Sequence, residues 1–319
     1  MMDESLSTSA HAIDRRSVAN AFGRASESYD SAAALQALAR EELLSRLDHF
    51  KLQPAVILDL GTGTGLATEA LQQRFPAARL VSVDLALPML QKARARARLQ
   101  HSWWSRLQNM LRGAGGRRSD YITADAAALP LASGSVQLVF SNLMLQWCNP
   151  PDRTLAEICR VLAPGGLLLC STFGPLTLQE LRAAWATVDD QPHVNDFIDM
   201  HDLGTAMARA GLTEPVLDVD RLQREHAEVK DLLRELKDLG ARNSLQERRR
   251  SLTGKAKLAA MMANYQRIFS TRSTWEIVYG SAFAPAPRTD GHGGGHRPSV
   301  QAEGANEVRI PLESVKKRG

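Results

Sequence analysis

The run Val56-Ile57-Leu58-Asp59-Leu60 leads directly into Gly61-Thr62-Gly63-Thr64-Gly65, which places three glycines at alternate positions. A short aliphatic run without polar alternation reads as a strand buried on both faces. The glycines call for a bend in backbone conformations that side chains resist. Residues 65–74 then read as a helix. A strand that turns through such a bend into a helix opens a βα unit, and βα units assemble into a parallel sheet with helices on both sides.

The pattern recurs along the chain. LVSVD (80–84), YITAD (121–125), VQLVFSN (136–142) and LLLCSTF (167–173) read as strands, with helices over 87–99 and 152–162 between them. LTEPVLDVDRL (212–222) and WEIVYGSAF (275–283) supply two more strands. The fold class predicted is therefore α/β: a seven-stranded Rossmann-like sheet with helices on both faces. Ahead of it, residues 15–50 read as helical, with Leu35, Leu38, Leu43, Leu44 and Leu47 near helical spacing and Pro54 closing the segment. Further helices are expected over 175–190, 200–211, 226–239 (ending at Gly240) and 255–270.

Three stretches stand outside this pattern: residues 1–14 read as a disordered N-terminus, 100–118 (QHSWWSRLQNMLRGAGGRR) as an insertion, and 285–319 as a low-complexity tail. One domain over 15–284 remains. Within it, segments 175–200 and 224–272 are expected to form a helical lid over the ligand cleft.

Composition narrows the class. No run approaches the ~18 apolar residues of a membrane span, and the start MMDESLSTSAHAID has no apolar core for a signal peptide. Cys148, Cys159 and Cys170 form no CxxC pair, and an odd count argues against a disulfide framework. They read as reduced, buried thiols in a cytoplasmic protein. A net charge of +4, from 39 basic and 35 acidic residues, decides nothing about partners. No aromatic platform accompanies the basic residues, so no nucleic-acid partner is expected. His292 and His296 flank three glycines in the tail and make a poor metal site; no metal is expected.

The glycine turn constrains the ligand. A P-loop needs a lysine that is missing here, and the dinucleotide fingerprint needs glycine where Leu66 stands. Acids end successive strands instead: Asp59 before the turn, Asp84 after the second strand, Asp125 after the third. A single such Asp is ordinarily a helix cap. Three beside GxGxG suit an ammonium, a ribose diol and an adenine amine in turn, without phosphates. That set describes S-adenosylmethionine. The expected cofactor-binding residues are Asp59, Gly61, Thr62, Gly63, Gly65, Asp84, Leu85, Asp125, Ala126, Asn142 and Leu143.

With these motifs the chain resembles the seven-stranded S-adenosylmethionine-dependent methyltransferases, and RVLAPGGLLLCSTF (160–173) looks like their approach to the fifth strand. AFGRASESYD (21–30), SNLMLQWC (141–148), FGPLTLQEL (173–181), HVNDF (193–197) and LKDLGARNS (236–244) together resemble the BioC family of biotin synthesis, malonyl-acyl-carrier-protein O-methyltransferases. The likeness runs from about residue 15 to 283. It implies methylation of the free carboxylate of a malonyl thioester, borne by acyl carrier protein or coenzyme A. Such a carboxylate, with a reference pKa near 4, is already ionised at pH 7 and needs no general base.

The resemblance also implies where the acceptor lies. Tyr29 reads either as a donor to the malonyl carboxylate or as an aromatic lid on the cofactor. Gln146 and Trp147 are catalytic candidates, Trp147 being alternatively a core residue. Arg24, Arg182 and Arg242 are each a candidate for pairing with the carboxylate or a plain surface residue, and His193 either lines the substrate pocket or is a hydrogen-bonded structural residue. Two basic clusters could steer an acidic carrier protein: Arg94, Arg96 and Arg98 with Arg106, Arg112, Arg117 and Arg118, and Arg242 with Arg248, Arg249 and Arg250. Other readings of the same residues are a small-molecule or quinone methyltransferase, an assembly factor for a respiratory complex, and a cofactor-binding module without catalysis.

Overall fold

The structure, a computed structural model, describes residues 13–100, 119–241 and 254–286. The predicted tail from 287 onward, Arg242 and all of the predicted insertion but Gln100 lie outside the described residues. Among those described, no helix is long and apolar enough to cross a membrane.

Asp14 starts the first helix, α1 (Arg15–Ala25), by accepting from the Ser17 backbone N–H at 3.2 Å and the Ser17 hydroxyl at 2.7 Å. The helical stretch expected over 15–50 is not continuous. It breaks into α1, α2 (Tyr29–Ala32), α3 (Ala34–Ser45) and a 3-10 turn, Arg46–His49. Serine hydroxyls accompany the first break. Ser26 donates to the Gly23 carbonyl at 2.9 Å, and Ser28 donates to the Ala25 carbonyl at 3.2 Å and across the fold to the Asp238 carbonyl at 3.0 Å. Tyr29 therefore begins its own short helix.

The βα units follow: β1 (Val56–Leu60), α4 (Leu66–Arg74), β2 (Arg79–Asp84), α5 (Leu87–Gln100), β3 (Ser119–Thr123), β4 (Val136–Ser141), α6 (Asp152–Val161) and β5 (Leu162–Phe173). After them come α7 (Gln179–Ala186), α8 (Met200–Arg209), β6 (Thr213–Glu225), α9 (Val229–Asp238), α10 (Lys255–Phe269) and β7 (Arg272–Phe283). The seven strands lie in the order β3-β2-β1-β4-β5-β7-β6. The first five are parallel, and β7 runs antiparallel to both β5 and β6. The chain builds outward from β1 in one direction and then returns to place β4 on its other side. That reversal opens a crevice beyond the carboxyl ends of β1 and β4, where open α/β sheets bind ligands.

Two boundaries differ from expectation. β3 ends at Thr123, so Asp125 stands beyond the strand. Its carboxylate accepts from the Ala127 N–H and its carbonyl from the Ala128 N–H, both at 2.9 Å, which turns the backbone out of the sheet. β5 begins at Leu162, paired to Val136, before an irregularity carries Pro164-Gly165-Gly166 out of register and pairing resumes at Leu167.

Side-chain alternation divides the core. Ile57, Leu80, Leu138, Leu167 and Ile277 face α3, α7 and α10. Leu58, Val81, Val139, Leu168 and Val278 face α6 and α8. Both faces of the sheet are buried, which is why its central strands contain so few polar residues.

Gly65 joins two parts of this scaffold. It precedes α4 with φ +87°, and a Cβ placed there would come within 2.8 Å of the Ala93 Cβ and 3.0 Å of its Cα on α5. Both the backbone conformation and the space exclude a side chain. Gly65→Ala is expected to lower unfolding free energy by about 3 kcal/mol, read as a fall in urea midpoint at unchanged m-value.

Candidate active site

The crevice at the reversal is an open cleft of about 100 Å³. Its floor comes from successive strand ends: Leu60, Gly61 and Gly63 after β1, Val83 to Leu85 at β2, Ala124 to Ala126 after β3, and Asn142 to Met144 after β4. Its roof comes from the front of the chain: Arg15, Val18 and Phe22 of α1, with Tyr29. Trp147 and Cys148 close one side.

Asp84 is the organising acid. One carboxylate oxygen accepts from the Gly63 N–H at 2.9 Å and the other from the Ala86 N–H at 2.8 Å. Burial raises its pKa, against the lowering effect of those N–H groups. Each oxygen retains lone-pair capacity, and a ribose diol presents two donors to match it. Gly63, at φ +53°, has nothing within 4 Å of where a Cβ would be, so the backbone is bare beside the cleft. A negative carboxylate on the floor disfavours a pyrophosphate and accepts a neutral sugar, so these residues fit a phosphate-free nucleoside.

Asp125 lies in the wall but is not free for an adenine amine alone. Its second oxygen pairs with Arg15, a residue the motifs gave no reason to single out. The turn acid, Asp59, departs further from expectation. It is 1% exposed, lies outside the cleft wall and accepts from the Thr62 and Thr68 hydroxyls. Strand alternation is the cause: Leu58 and Leu60 occupy one face of β1, and Asp59 points to the other, under α4. Thr62 goes with it, because its hydroxyl is spent on Asp59. Gly65 packs on α5 instead of the cleft. Of the turn, Gly61 and Gly63 face the ligand space.

The loop after β4 is held in part by Gln146, a residue expected to act on substrate. Leu143 sits at φ 48°, an unfavourable conformation for a leucine. The Gln146 side chain donates to the Leu143 carbonyl at 2.6 Å and accepts from the Thr172 hydroxyl at 3.3 Å. The Leu143 N–H donates to the Ser171 hydroxyl at 3.0 Å. Buried and outside the wall, Gln146 props this loop and does not reach the cleft. Trp147 does reach it, edge-on to Phe22 with ring centroids 5.2 Å apart, and Phe22 also packs beside Tyr29 at 6.2 Å. Three aromatic rings thus stand together at the cleft.

A family profile described as a methyltransferase domain matches residues 58–170, from β1 into β5. The malonyl-acyl-carrier-protein O-methyltransferase of Gallionella capsiferriformans is 43% identical over 284 residues, covering 88% of this chain and 94% of that protein. The chain belongs to the malonyl-acyl-carrier-protein O-methyltransferase family. The family's protein from Nitrosospira multiformis is 41% identical over 290 residues, 90% of this chain and 94% of its own. Among solved structures, the YcgJ protein of Bacillus subtilis superposes with a TM-score of 0.53 at 11% identity, over 77% of this chain and 98% of that one. This last likeness concerns the fold alone.

Other residues suggested by the family resemblance lie elsewhere. Arg24 is exposed and outside the wall. His193 stacks on Trp185 at 3.7 Å and bonds Asp189 at 2.7 Å, well away from the cleft lining. Arg182 lies beside it, reaching the Pro175 and Asn195 carbonyls at 3.3 Å. The segments 175–200 and 224–272, expected as the lid, contribute no residue to the described wall; that role falls to α1 and Tyr29. Lys92 pairs with Glu27, and Arg96 with Asp30, fastening this roof to α5. Among the described residues there is no cluster able to hold a metal ion.

Burial pushes the Asp59 carboxyl up to about 6, although the Thr62 and Thr68 hydroxyls pull it down. Unfolded, the group titrates near ~3.9. The folded state then holds the extra proton between those values, so stability falls as pH rises from 4 to 6 and the penalty persists above. Relative to Asp59→Asn, the wild type should lose about 2 kcal/mol between pH 4 and 7. Denaturant midpoints of both proteins across that range check it, and parallel curves would refute it.

Proposed function

We propose that this chain transfers a methyl group from S-adenosylmethionine to the free carboxylate of a malonyl thioester carried by acyl carrier protein, the methyl ester then serving biotin synthesis. The observation that carries the reading is the 43% identity over 88% of the chain to a protein of that name. S-Adenosylmethionine, when bound, supplies a sulfonium methyl whose carbon–sulfur bond breaks as a carbon–oxygen bond forms, leaving a neutral thioether and a neutral ester.

The chain's own residues suit an acceptor that arrives ionised. Among the described residues, no histidine lines the cleft. Burial, then the charges of Asp84 and Asp30, hold the Tyr29 phenol above its ordinary range. Cys148 is pushed up to about 11, also by burial. Both groups keep their protons at neutral pH, so they donate hydrogen bonds and do not abstract protons. A carboxylate needs no base, whereas a phenol or carbon acid would. Tyr29 can donate to one carboxylate oxygen while the other is aligned with the methyl, and alignment can contribute several kcal/mol to lowering the barrier. Asp84, Gly61 and Gly63 hold the nucleoside in this reading. Phe22, Tyr29 and Trp147 keep water away from the nucleophile.

An acidic carrier protein would meet a basic surface. Of the first arginine cluster, Arg96 is occupied by Asp30, while Arg94 and Arg98 are exposed one helical turn apart on α5. The remaining members of both clusters lie outside the described residues.

The purified protein should transfer labelled methyl from S-adenosylmethionine to malonyl-acyl carrier protein as a base-labile ester. Transfer to phenols with none to malonyl thioesters would overturn the assignment. Asp84→Ala should weaken S-adenosylhomocysteine about 100-fold and fail to rescue a biotin-requiring strain that the wild type restores. Tyr29→Phe should lower kcat at least tenfold with nucleoside affinity held within threefold; an equal loss of both would assign the phenol to the donor instead.

A further inference from the structure

Helix α2 begins with Tyr29, whose side chain lines the cleft, yet it is only four residues long and fully buries none of them. So short a segment is not stable by itself and gains little from packing, so polar bonds must set its place. Just before it, the Ser28 hydroxyl donates to the Asp238 carbonyl at the end of α9. Within it, the Asp30 carboxylate makes two bonds. One oxygen accepts from the Thr64 hydroxyl at 2.5 Å, and the other accepts from Arg96 of α5.

The two bonds are unequal. Arg96 and Asp30 are partly exposed, and an ion pair of that kind is weak. Thr64 is buried and stands inside the glycine turn, between Gly63, which lines the cleft, and Gly65, which packs on α5. Its hydroxyl makes a charge-assisted bond to Asp30, and without that carboxylate it would lie buried with no acceptor. Asp30 thereby ties the residue before it, Tyr29, to the turn whose Gly63 N–H holds Asp84. The dependence runs one way. Without Asp30 the turn keeps its bonds from Gly61, Thr62 and Gly63 to the end of β2. Among the described residues, α2 makes no other hydrogen bond to the turn.

We propose that Asp30 is a positioning residue for methyl transfer: through Thr64 it sets where the Tyr29 hydroxyl stands relative to Gly63 and Asp84 on the cleft floor. This rests on the methyl-transfer reading above, in which the phenol donates to the acceptor carboxylate. Three variants test it: Asp30→Ala, Thr64→Val, which keeps the shape and loses the hydroxyl, and Asp30→Asn, which keeps an oxygen for Thr64. Each would be measured for kcat with malonyl-acyl carrier protein and, by calorimetry, for the Kd of S-adenosylhomocysteine. Tyr29→Phe alone and combined with Asp30→Ala completes a double-mutant cycle. In parallel, 3-fluorotyrosine placed at position 29 gives a fluorine resonance that reports the setting of the ring without turnover.

Asp30→Ala and Thr64→Val each lower kcat about tenfold and leave the nucleoside Kd within about threefold of wild type. Asp30→Asn recovers part of the loss. Because Asp30 acts through the phenol, the double variant is at most about twofold slower than Tyr29→Phe alone. The wild-type fluorine line broadens or moves toward that of the free amino acid in Asp30→Ala and in Thr64→Val. Should Asp30→Ala not fold, Thr64→Val carries the same expectation. The proposal is overturned if kcat stays within about threefold of wild type, or if the Asp30→Ala loss multiplies in full with that of Tyr29→Phe. It is overturned equally if nucleoside affinity falls in step with kcat, since Asp30 would then serve the turn and not the phenol. A wild type that binds S-adenosylhomocysteine but never methylates malonyl thioesters would refute the proposed function. The fluorine line then decides alone: unmoved in both variants it overturns the tie between Asp30 and Tyr29, and displaced in both it upholds that tie.

Discussion

The hydrogen bond from the Gly63 N–H to the Asp84 carboxylate, 2.9 Å long, joins the ends of the two neighbouring strands on which the cleft is built. Beside it, the Gly61 and Thr62 N–H groups donate to the Val83 carbonyl at 2.8 and 3.0 Å. These three bonds bend the chain after β1 over the end of β2, and the bend works only with the positive backbone angles of Gly61 and Gly63. Were the turn to relax, Asp84 would lose its orientation and α4 its starting point. Stacked beneath it, Asp59 ties down Thr62 and Thr68, so one acid shapes the loop from below while another lines the cleft. Two carboxylates with near-identical sequence context thus end on opposite sides of one turn.

The sheet itself was legible because its cause is local. Strands buried on both faces must be continuously apolar, and VILDL, LVSVD and LLLCSTF stand out for that reason. Asp84 was legible because the end of a strand beside a glycine bend is a place defined by topology. Asp59 was misplaced for a reason the same strand contains: alternation puts it opposite Leu58 and Leu60, under the helix. The roof was not legible. Arg15, Val18 and Phe22 lie some forty residues before the glycine turn, and no spacing rule says which crevice a preceding helix will cover. His193 shows the same limit, since its stacking on Trp185 and its bond to Asp189 depend on local tertiary packing.

Gln146 illustrates how position and role separate. It stands next to Trp147 in a segment that follows β4, where an acceptor is expected. Yet its amide is consumed holding Leu143 in an uncommon backbone conformation. Ser171 on β5 shares that task by bonding both Leu143 and Asn142. The loop is thus fixed by buried side chains, so that Leu143, Met144 and Trp147 give this side of the cleft a mainly apolar face. Such a wall suits a reaction in which charge is annihilated, because a sulfonium and a carboxylate both become neutral and a dry surround favours neutral products.

The roof is attached in a different manner from the floor. Lys92 with Glu27, Arg96 with Asp30, and Arg15 with Asp125 are ion pairs with partly exposed side chains, and pairs of this kind contribute no more than about 1 kcal/mol each. The apolar side chains of α1, Val18, Ala21 and Ala25, are buried as well, so the front is fastened by packing inside and by ion pairs outside, and rising ionic strength loosens only the outer fastening.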